Sequence, residues 1–247
     1  MLDLAEDHVV LDHGCGWGKL TCHLAPRVGR VVAMDLVRNR AQFTALRSRQ
    51  DGSDNVVPVV SGDYERLPFP ADCFDAALLN GVLEWVPSVL PGDPGAVQEA
   101  RLRELARVLK PGGQLLLAIE NRYWWRYFLG TPEVHTGIRW AALAPRWATG
   151  LLARMSGRPA FRTYTYSLNG YHRLLRRAGF EEIAAYITAP EYNFTEVAMP
   201  IGATPALSDL LIGRDHRGLR SLLSRLGRGL GIRPHVAYCY AFVCQKR

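Results

Sequence analysis

Lysine is almost missing from this chain. Only Lys19, Lys110 and Lys246 contribute to its 30 basic residues, so the formal net charge of +7 is carried almost wholly by arginine. Long apolar runs are missing too, and none approaches the roughly 18 residues a membrane-spanning helix needs. The opening residues, MLDLAEDH, lack the basic flank and apolar core of a secretion signal. Cysteine is scarce, at Cys15, Cys22, Cys73, Cys239 and Cys244, with no C-x-x-C pair and no histidines spaced around them as zinc ligands. Together these gaps predict a cytoplasmic protein with reduced thiols and without transmembrane segments or structural zinc. The basic balance leaves nucleic acid, acidic small molecules and anionic membrane surfaces open as partners, against a plain solvated basic surface.

What is present is an alternation. Five apolar runs, at 8–12, 30–35, 55–60, 74–80 and 113–120, carry valine, leucine and isoleucine without period-two patterning, as parallel strands covered on both faces do. Helical patterns separate them. In 96–109, Leu102, Leu105, Ala106 and Leu109 share a face, and the Lys-Pro-Gly-Gly run at 110–113 stops it. After residue 120 the rhythm breaks into an aromatic stretch holding Trp124, Trp125, Tyr127, Phe128, Trp140 and Trp147. A helix at 168–178 and strands at 181–188 and 235–245 complete the pattern. With no internal repeat or long linker, the expectation is one domain over 1–247. Its core is 8–120, 166–189 and 234–247, and its cap insertions fall at about 121–165 and 190–233.

A glycine loop, Val9 to Ala25, carries the first chemical signal: Gly14, Gly16 and Gly18 follow a strand that ends in Asp12. Glycines between strand and helix let backbone N–H groups approach a ligand. A P-loop would need glycine five places before Gly18, where His13 stands, and Ser or Thr after Lys19, where Leu20 stands. A dinucleotide fingerprint is G-x-G-x-x-G, whereas this loop reads G-x-G-x-G. Asp35, at the end of the second strand, has two oxygens able to accept from both hydroxyls of a ribose.

The loop is similar to motif I of class I S-adenosylmethionine-dependent methyltransferases, and the stretch SGDYERLPFPADCFDAALLNGVLEWV (61–86) looks like the type 11 group of that family. LRELARVLKPGGQLLLAIENR (102–122) matches the same group's fourth helix and fifth strand. The resemblance is dense from 8 to 122. It implies an α/β, Rossmann-like, doubly wound, seven-stranded, mostly parallel sheet with an antiparallel last strand, and insertions after strands five and six. It implies S-adenosyl-L-methionine as cofactor and S-adenosyl-L-homocysteine as product. Asp12, Gly14, Gly16 and Gly18 would then face the methionine half, and Asp35 with Leu36 the ribose. Gly62, Asp63 and Tyr64 would meet adenine, with Asp63 accepting from its amino group, and Asn80 would lie near the methionine.

Acceptor-side candidates follow strands four and five, because ligands of open α/β sheets sit beyond the carboxyl ends of the strands. Glu84 and Trp85 lie in the first turn; Glu120, Asn121, Arg122 and Tyr123 follow the second, and His135 sits in GTPEVHTG (130–137). Glu120 and His135 are the catalytic candidates, each weighed against a role in fixing its own loop, and no metal is expected. His13 reads as shaping the glycine loop, and Lys19 as an exposed residue opening the first helix. The Trp124–Trp125 pair reads as core, while the aromatic insertion is expected to build the acceptor pocket. The arginine-rich stretch 216–230 puts Leu219, Leu222, Leu223, Leu226 and Leu230 on one helical face. It reads as a cap helix, with peripheral membrane contact as the alternative. The leading expectation is methyl transfer to oxygen or nitrogen of a small molecule, sugar-bearing or a secondary metabolite. A tRNA acceptor, a non-catalytic cofactor-binding subunit and a nicotinamide oxidoreductase are the rivals; oligomeric state is left open.

Overall fold

A computed structural model describes residues 1–61, 63, 65–157, 162–202 and 233–247. The stretch 216–230, together with Gly62 and Tyr64, lies outside them. Eight strands form one sheet: β1 (Val9–His13), β2 (Arg30–Asp35), β3 (Val56–Val60), β4 (Phe74–Asn80), β5 (Leu109–Glu120), β6 (Phe180–Ala189), β7 (Val197–Pro200) and β8 (Cys239–Lys246). Their order is β3-β2-β1-β4-β5-β8-β6-β7. β1 to β5 pair in parallel, β8 runs antiparallel to both β5 and β6, and β7 runs antiparallel to β6.

The expected architecture is present, with one strand more than the seven anticipated. β7 falls in the segment 190–233 assigned to a cap insertion; its four residues are too few to show a period, and β6 supplies the pairing that makes them a strand. The last strand begins at Cys239, because Arg233–Val236 form a helical turn. β5 begins at Leu109, with its register against β4 shifting between Phe74 and Ala76, so Pro111, Gly112 and Gly113 occupy an irregular strand entry. Pro58 sits in β3, the edge strand where a missing N–H costs least.

Both faces of the sheet are covered, which is why the strand patterns lack alternation. Val10, Val31, Ala76 and Leu78 point to one face of the sheet, onto Leu24 and Val28 near the end of α1 (Lys19–Leu24). Leu11, Met34, Leu79 and Leu117 point the other way, into a core layer shared with Leu102 and Leu105 of α2 (Pro94–Val108) and Tyr171, Leu174 and Leu175 of α3 (Leu168–Arg177). Burying one such leucine contributes about 1.5–3 kcal/mol. α2 starts where Asp93 caps it by accepting from Ala96 N at 2.9 Å, and Ser167 does the same for α3 from Gly170 N at 3.2 Å. The inward face of α2 carries more than leucine: Gln98 is fully buried, its amide donating to Leu83 O and Tyr164 O.

The order in which strands are added to the sheet reverses between β1 and β4, which themselves run parallel. From β1 the chain works outward through β2 to β3, then returns to place β4 and β5 on the opposite side of β1. The helices that follow β1 and β4 therefore diverge, and a crevice opens beyond the carboxyl ends of these two strands.

Candidate active site

A cavity of about 710 Å³ occupies that crevice, within the range of small-molecule sites. Its floor is the end of β1 and the loop that follows. Asp12 is buried and accepts a hydrogen bond from Thr21 Oγ1; burial pushes its carboxyl up to about 6, against the lowering effect of that bond. His13 ends β1 and does not lie within the glycine loop. Its buried ring has no hydrogen-bond partner at either nitrogen, and burial, aided by the Arg101 charge, holds its pKa near 3. The imidazole is neutral.

Packing and backbone conformation together require glycine at positions 14 and 18, while at 16 only the left-handed backbone favours it. Gly14 has φ of +85°, and a Cβ there would stand 2.3 Å from Val82 Cγ2, so the loop packs too closely on the turn after β4 for any side chain. Gly16 has φ of +54°, and a Cβ there would meet no protein atom within 4 Å. Gly16 is on the cavity wall, so the open space beside it is part of the cavity. Gly18 instead precedes α1 against Thr44, off the wall.

Asp35 closes β2 on the opposite side. Its Oδ2 accepts from Gly16 N and its Oδ1 from Val37 N, both at 2.9 Å. The carboxylate thus clamps the glycine loop while keeping one lone pair on each oxygen for a further donor. Leu36 and Val37 give that side an apolar surface, and Ser61 and Asn80 also line the cavity. Asp63 is exposed and off the wall. The open loop edge at Gly16, a two-oxygen acceptor at Asp35 and the apolar Leu36–Val37 patch suit a zwitterionic tail, a ribose diol and a flat base in sequence. These residues fit S-adenosylmethionine.

The acceptor side differs from expectation. Among the described residues, none of 121–165 lines the cavity. Trp124 packs on Tyr238 with ring centroids 4.3 Å apart, and Arg122 is held by Ala142 O and Ala144 O. The aromatic stretch thus binds to itself and to the entry of β8. The far wall comes from Trp85, Val86 and Val89 after β4, and from Tyr192, Asn193 and Phe194 between β6 and β7. Lys19 is exposed and opens α1 as expected, and it also holds this second segment: it donates to Asn193 O and sits 3.9 Å over the Phe194 ring. Asn80 Nδ2 donates to Asn193 Oδ1 at 3.2 Å. Nothing in residues 190–196 forms a motif, so sequence reading had no means of finding Tyr192.

Glu120 and His135 do meet, but behind the wall. Tyr192 lines the cavity and donates its hydroxyl to Glu120 Oε1 at 2.8 Å; Trp85 stands edge-on to His135 with centroids 5.1 Å apart. Glu84, fully buried, is the third member, and Glu133, overlooked in the sequence, is the fourth: its Oε1 bonds His135 Nδ1 at 2.7 Å. Burial, then the Glu120 charge, pushes Glu84 well above the ordinary carboxylate range, and burial raises Glu120 as well. Burial would lower His135, but the hydrogen bond to Glu133 and the charges of Glu120 and Glu133 outweigh it and raise its pKa. Burial and the Glu120 charge keep the Tyr192 hydroxyl protonated.

Known proteins resemble this chain in the same places. Residues 11–117 match the family model described as a methyltransferase domain. The methyltransferase GfsG of Streptomyces halstedii is 35% identical over 118 residues, covering 47% of this chain and 39% of that protein; the chain spans less than half the length of the curated relatives it matches. A solved S-adenosylmethionine-dependent methyltransferase from Methanosarcina mazei superposes with a TM-score of 0.58 at 19% identity, over 98% of this chain and 94% of that one. Geranyl diphosphate C-methyltransferase of Streptomyces coelicolor, solved with Mg²⁺, geranyl diphosphate and S-adenosyl-L-homocysteine, gives 0.57 at 16% identity, over 99% and 74%.

Proposed function

We propose that this chain, which belongs to the class I S-adenosylmethionine-dependent methyltransferases, transfers the cofactor's methyl group to oxygen or nitrogen of a small-molecule acceptor. The observation that carries the reading is the meeting of Asp35 and Gly16 on one cavity wall: the carboxylate accepts from Gly16 N and still has a lone pair to spare on each oxygen, beside a loop position with no protein atom within 4 Å of where a side chain would begin. Bound there, the cofactor supplies a sulfonium methyl that is already activated.

The protein's part is then alignment and exclusion of water. Asp35 would receive the ribose hydroxyls, Asp12 and the backbone of Gly14 and Gly16 would bound the methionine end, and Asn80 would meet it from β4. Gly62, Asp63 and Tyr64 keep the adenine role that the family resemblance implies. Trp85, Val86, Val89 and Phe194 would press on the acceptor. The Tyr192 hydroxyl donates its one hydrogen bond to Glu120, so its lone pairs are what it offers to the cavity. An acceptor O–H or N–H donating to Tyr192 Oη would hold its own lone pair toward the methyl. Glu120 and His135 are read here as positioning residues that fix Tyr192 and Trp85.

The test has two stages. Calorimetry should show S-adenosylmethionine binding one to one, with no comparable affinity for NAD. A screen of hydroxylated and amino-bearing small molecules should then yield S-adenosylhomocysteine with at least one of them. NAD binding without S-adenosylmethionine binding would overturn the reading; turnover on tRNA alone would move the acceptor to nucleic acid.

A further inference from the structure

Glu84, Glu120 and His135 reach the same point from three parts of the chain: the turn after β4, the end of β5 and the 130–137 loop. Each brings one potential ligand atom to within 4.8 Å of the other two. Counting Glu133, three carboxyl groups and one imidazole share this space, and Glu84, Glu120 and Glu133 are at most 5% exposed. Among the described residues, no lysine or arginine pairs with any of them. Ionised carboxylates so enclosed are unfavourable without a compensating positive charge.

His135 is the one cationic partner of the three carboxyl groups among the described residues, and the hydrogen bonds show which atoms are left over. Glu133 is fully engaged, accepting from His135 N, Thr136 N and Thr136 Oγ1 as well as bonding the ring. Glu120 Oε1 is taken by Tyr192. Both oxygens of Glu84 and Oε2 of Glu120 are buried with no hydrogen-bond partner. In the neutral ring that donates Nδ1–H to Glu133, the form a metal would bind, the His135 Nε2 lone pair also faces this gap. It stands 3.7 Å from Glu120 Oε1 and 4.0 Å from Glu84 Oε1. These separations are too long for hydrogen bonds. They suit atoms sharing one ion: ligands each about 2.1 Å from a metal stand about 3.4 Å apart at the tetrahedral angle and about 4.2 Å when opposite.

We propose that Glu84, Glu120 and His135 bind a divalent first-row ion of the zinc or manganese kind, with Glu133 orienting the imidazole. Two carboxylates with one imidazole select such ions over magnesium or calcium, which favour oxygen alone. A carboxylate on the far nitrogen of a ligating histidine is the usual outer support of such a site. The ion ties the 130–137 loop to the ends of β4 and β5, directly behind Trp85 and Tyr192, and so fixes the acceptor wall. It does not require that the chain transfer methyl groups.

The full-length protein, dialysed against a chelator, should be titrated by calorimetry with Zn²⁺, Mn²⁺ and Mg²⁺ separately. Zn²⁺ or Mn²⁺ should bind one to one, with Mg²⁺ at least tenfold weaker. E84Q and H135A should each weaken binding about a hundredfold or more, and E133Q by about 10–100-fold through the imidazole. Thermal unfolding and S-adenosylhomocysteine calorimetry establish that each variant is folded. Should H135A not fold, the absorption spectrum of the Co²⁺-loaded wild type, compared with Co²⁺-loaded E133Q, reports the histidine ligand. Absence of stoichiometric binding, or undiminished binding in folded E84Q and E133Q, overturns the site. Ion binding without S-adenosylhomocysteine binding upholds the site and defeats the methyl-transfer reading; the reverse pattern defeats the site alone.

Discussion

Replacing Asp35 tests the proposed donor site most directly, because its carboxylate clamps the glycine loop and, in the proposed complex, would also hold the ribose with the same set of lone pairs. It is 6% exposed and accepts from Gly16 N and Val37 N at 2.9 Å each. Two ribose hydroxyls would bring each oxygen to two donors and fill all four acceptor sites. D35A removes both ribose bonds. At about 1.5–3 kcal/mol for each hydrogen bond to a charged group, the loss is about 3–6 kcal/mol, or about two to four decades in Kd at 1.4 kcal/mol per decade. D35N is the sharper probe. It keeps the volume, but its NH₂ must face either Gly16 N–H or Val37 N–H, donor against donor, so one loop bond is lost and one ribose hydroxyl loses its acceptor. A loss of about one to two decades is expected. Calorimetry with S-adenosylhomocysteine on wild type, D35N and D35A measures both, with thermal unfolding of the free proteins as the control for folding. Affinity of D35A within threefold of wild type, or D35N matching wild type, would refute the assignment.

G16V puts a side chain where the protein has none within 4 Å. The variant should fold, at a cost of about 1–2 kcal/mol for its left-handed backbone, yet lose S-adenosylhomocysteine affinity by more than about a hundredfold; unfolding and calorimetry together separate the two effects. Asp12 carries a pH signature. A carboxyl moved from 3.8 to about 6 keeps its proton longer when folded, so its contribution to stability is present below pH 4 and lost as pH rises to about 6, by about 3 kcal/mol. Chemical denaturation of D12N should lack that decline, and an unchanged pH profile would count against the buried carboxyl. Y192F removes the 2.8 Å bond to Glu120; once an acceptor is found, kcat should fall roughly tenfold while cofactor affinity holds, and equal loss in both would deny Tyr192 a place on the acceptor side.

Residues with local jobs were legible in the sequence. The parallel strands showed as unalternated apolar runs because helices cover both faces, and the place of Asp35 on the cavity showed because it depends on the end of one strand. Glu84, Glu120 and His135 were each picked out singly from their places after β4 and β5. That they meet behind Tyr192 was not visible, since 36 residues separate the two glutamates and only the sheet order brings the strand ends together. Glu133 was overlooked because a carboxylate two residues from a histidine reads as solvated surface until both are buried. The aromatic insertion misled for a related reason: tryptophans signal a surface to be covered without saying which. Here Trp124 covers Tyr238, and the cavity takes its wall from a segment with no motif at all.

The sequence by itself pointed to a nucleoside-type ligand at the first two strand ends, and the family resemblance of the later blocks narrowed it to S-adenosylmethionine. Glycines at alternate positions after a strand, and an acid one strand later, are constraints of backbone conformation and hydrogen-bond capacity that act within a few residues. Tertiary structure decided the rest. It set the position of Tyr192 over Glu120, the exclusion of Glu120 and His135 from the cavity wall, and the enclosure of three carboxyl groups with one imidazole. Those outcomes depend on which strand ends become neighbours and on what burial does to charge, and neither is a property of any short stretch of chain.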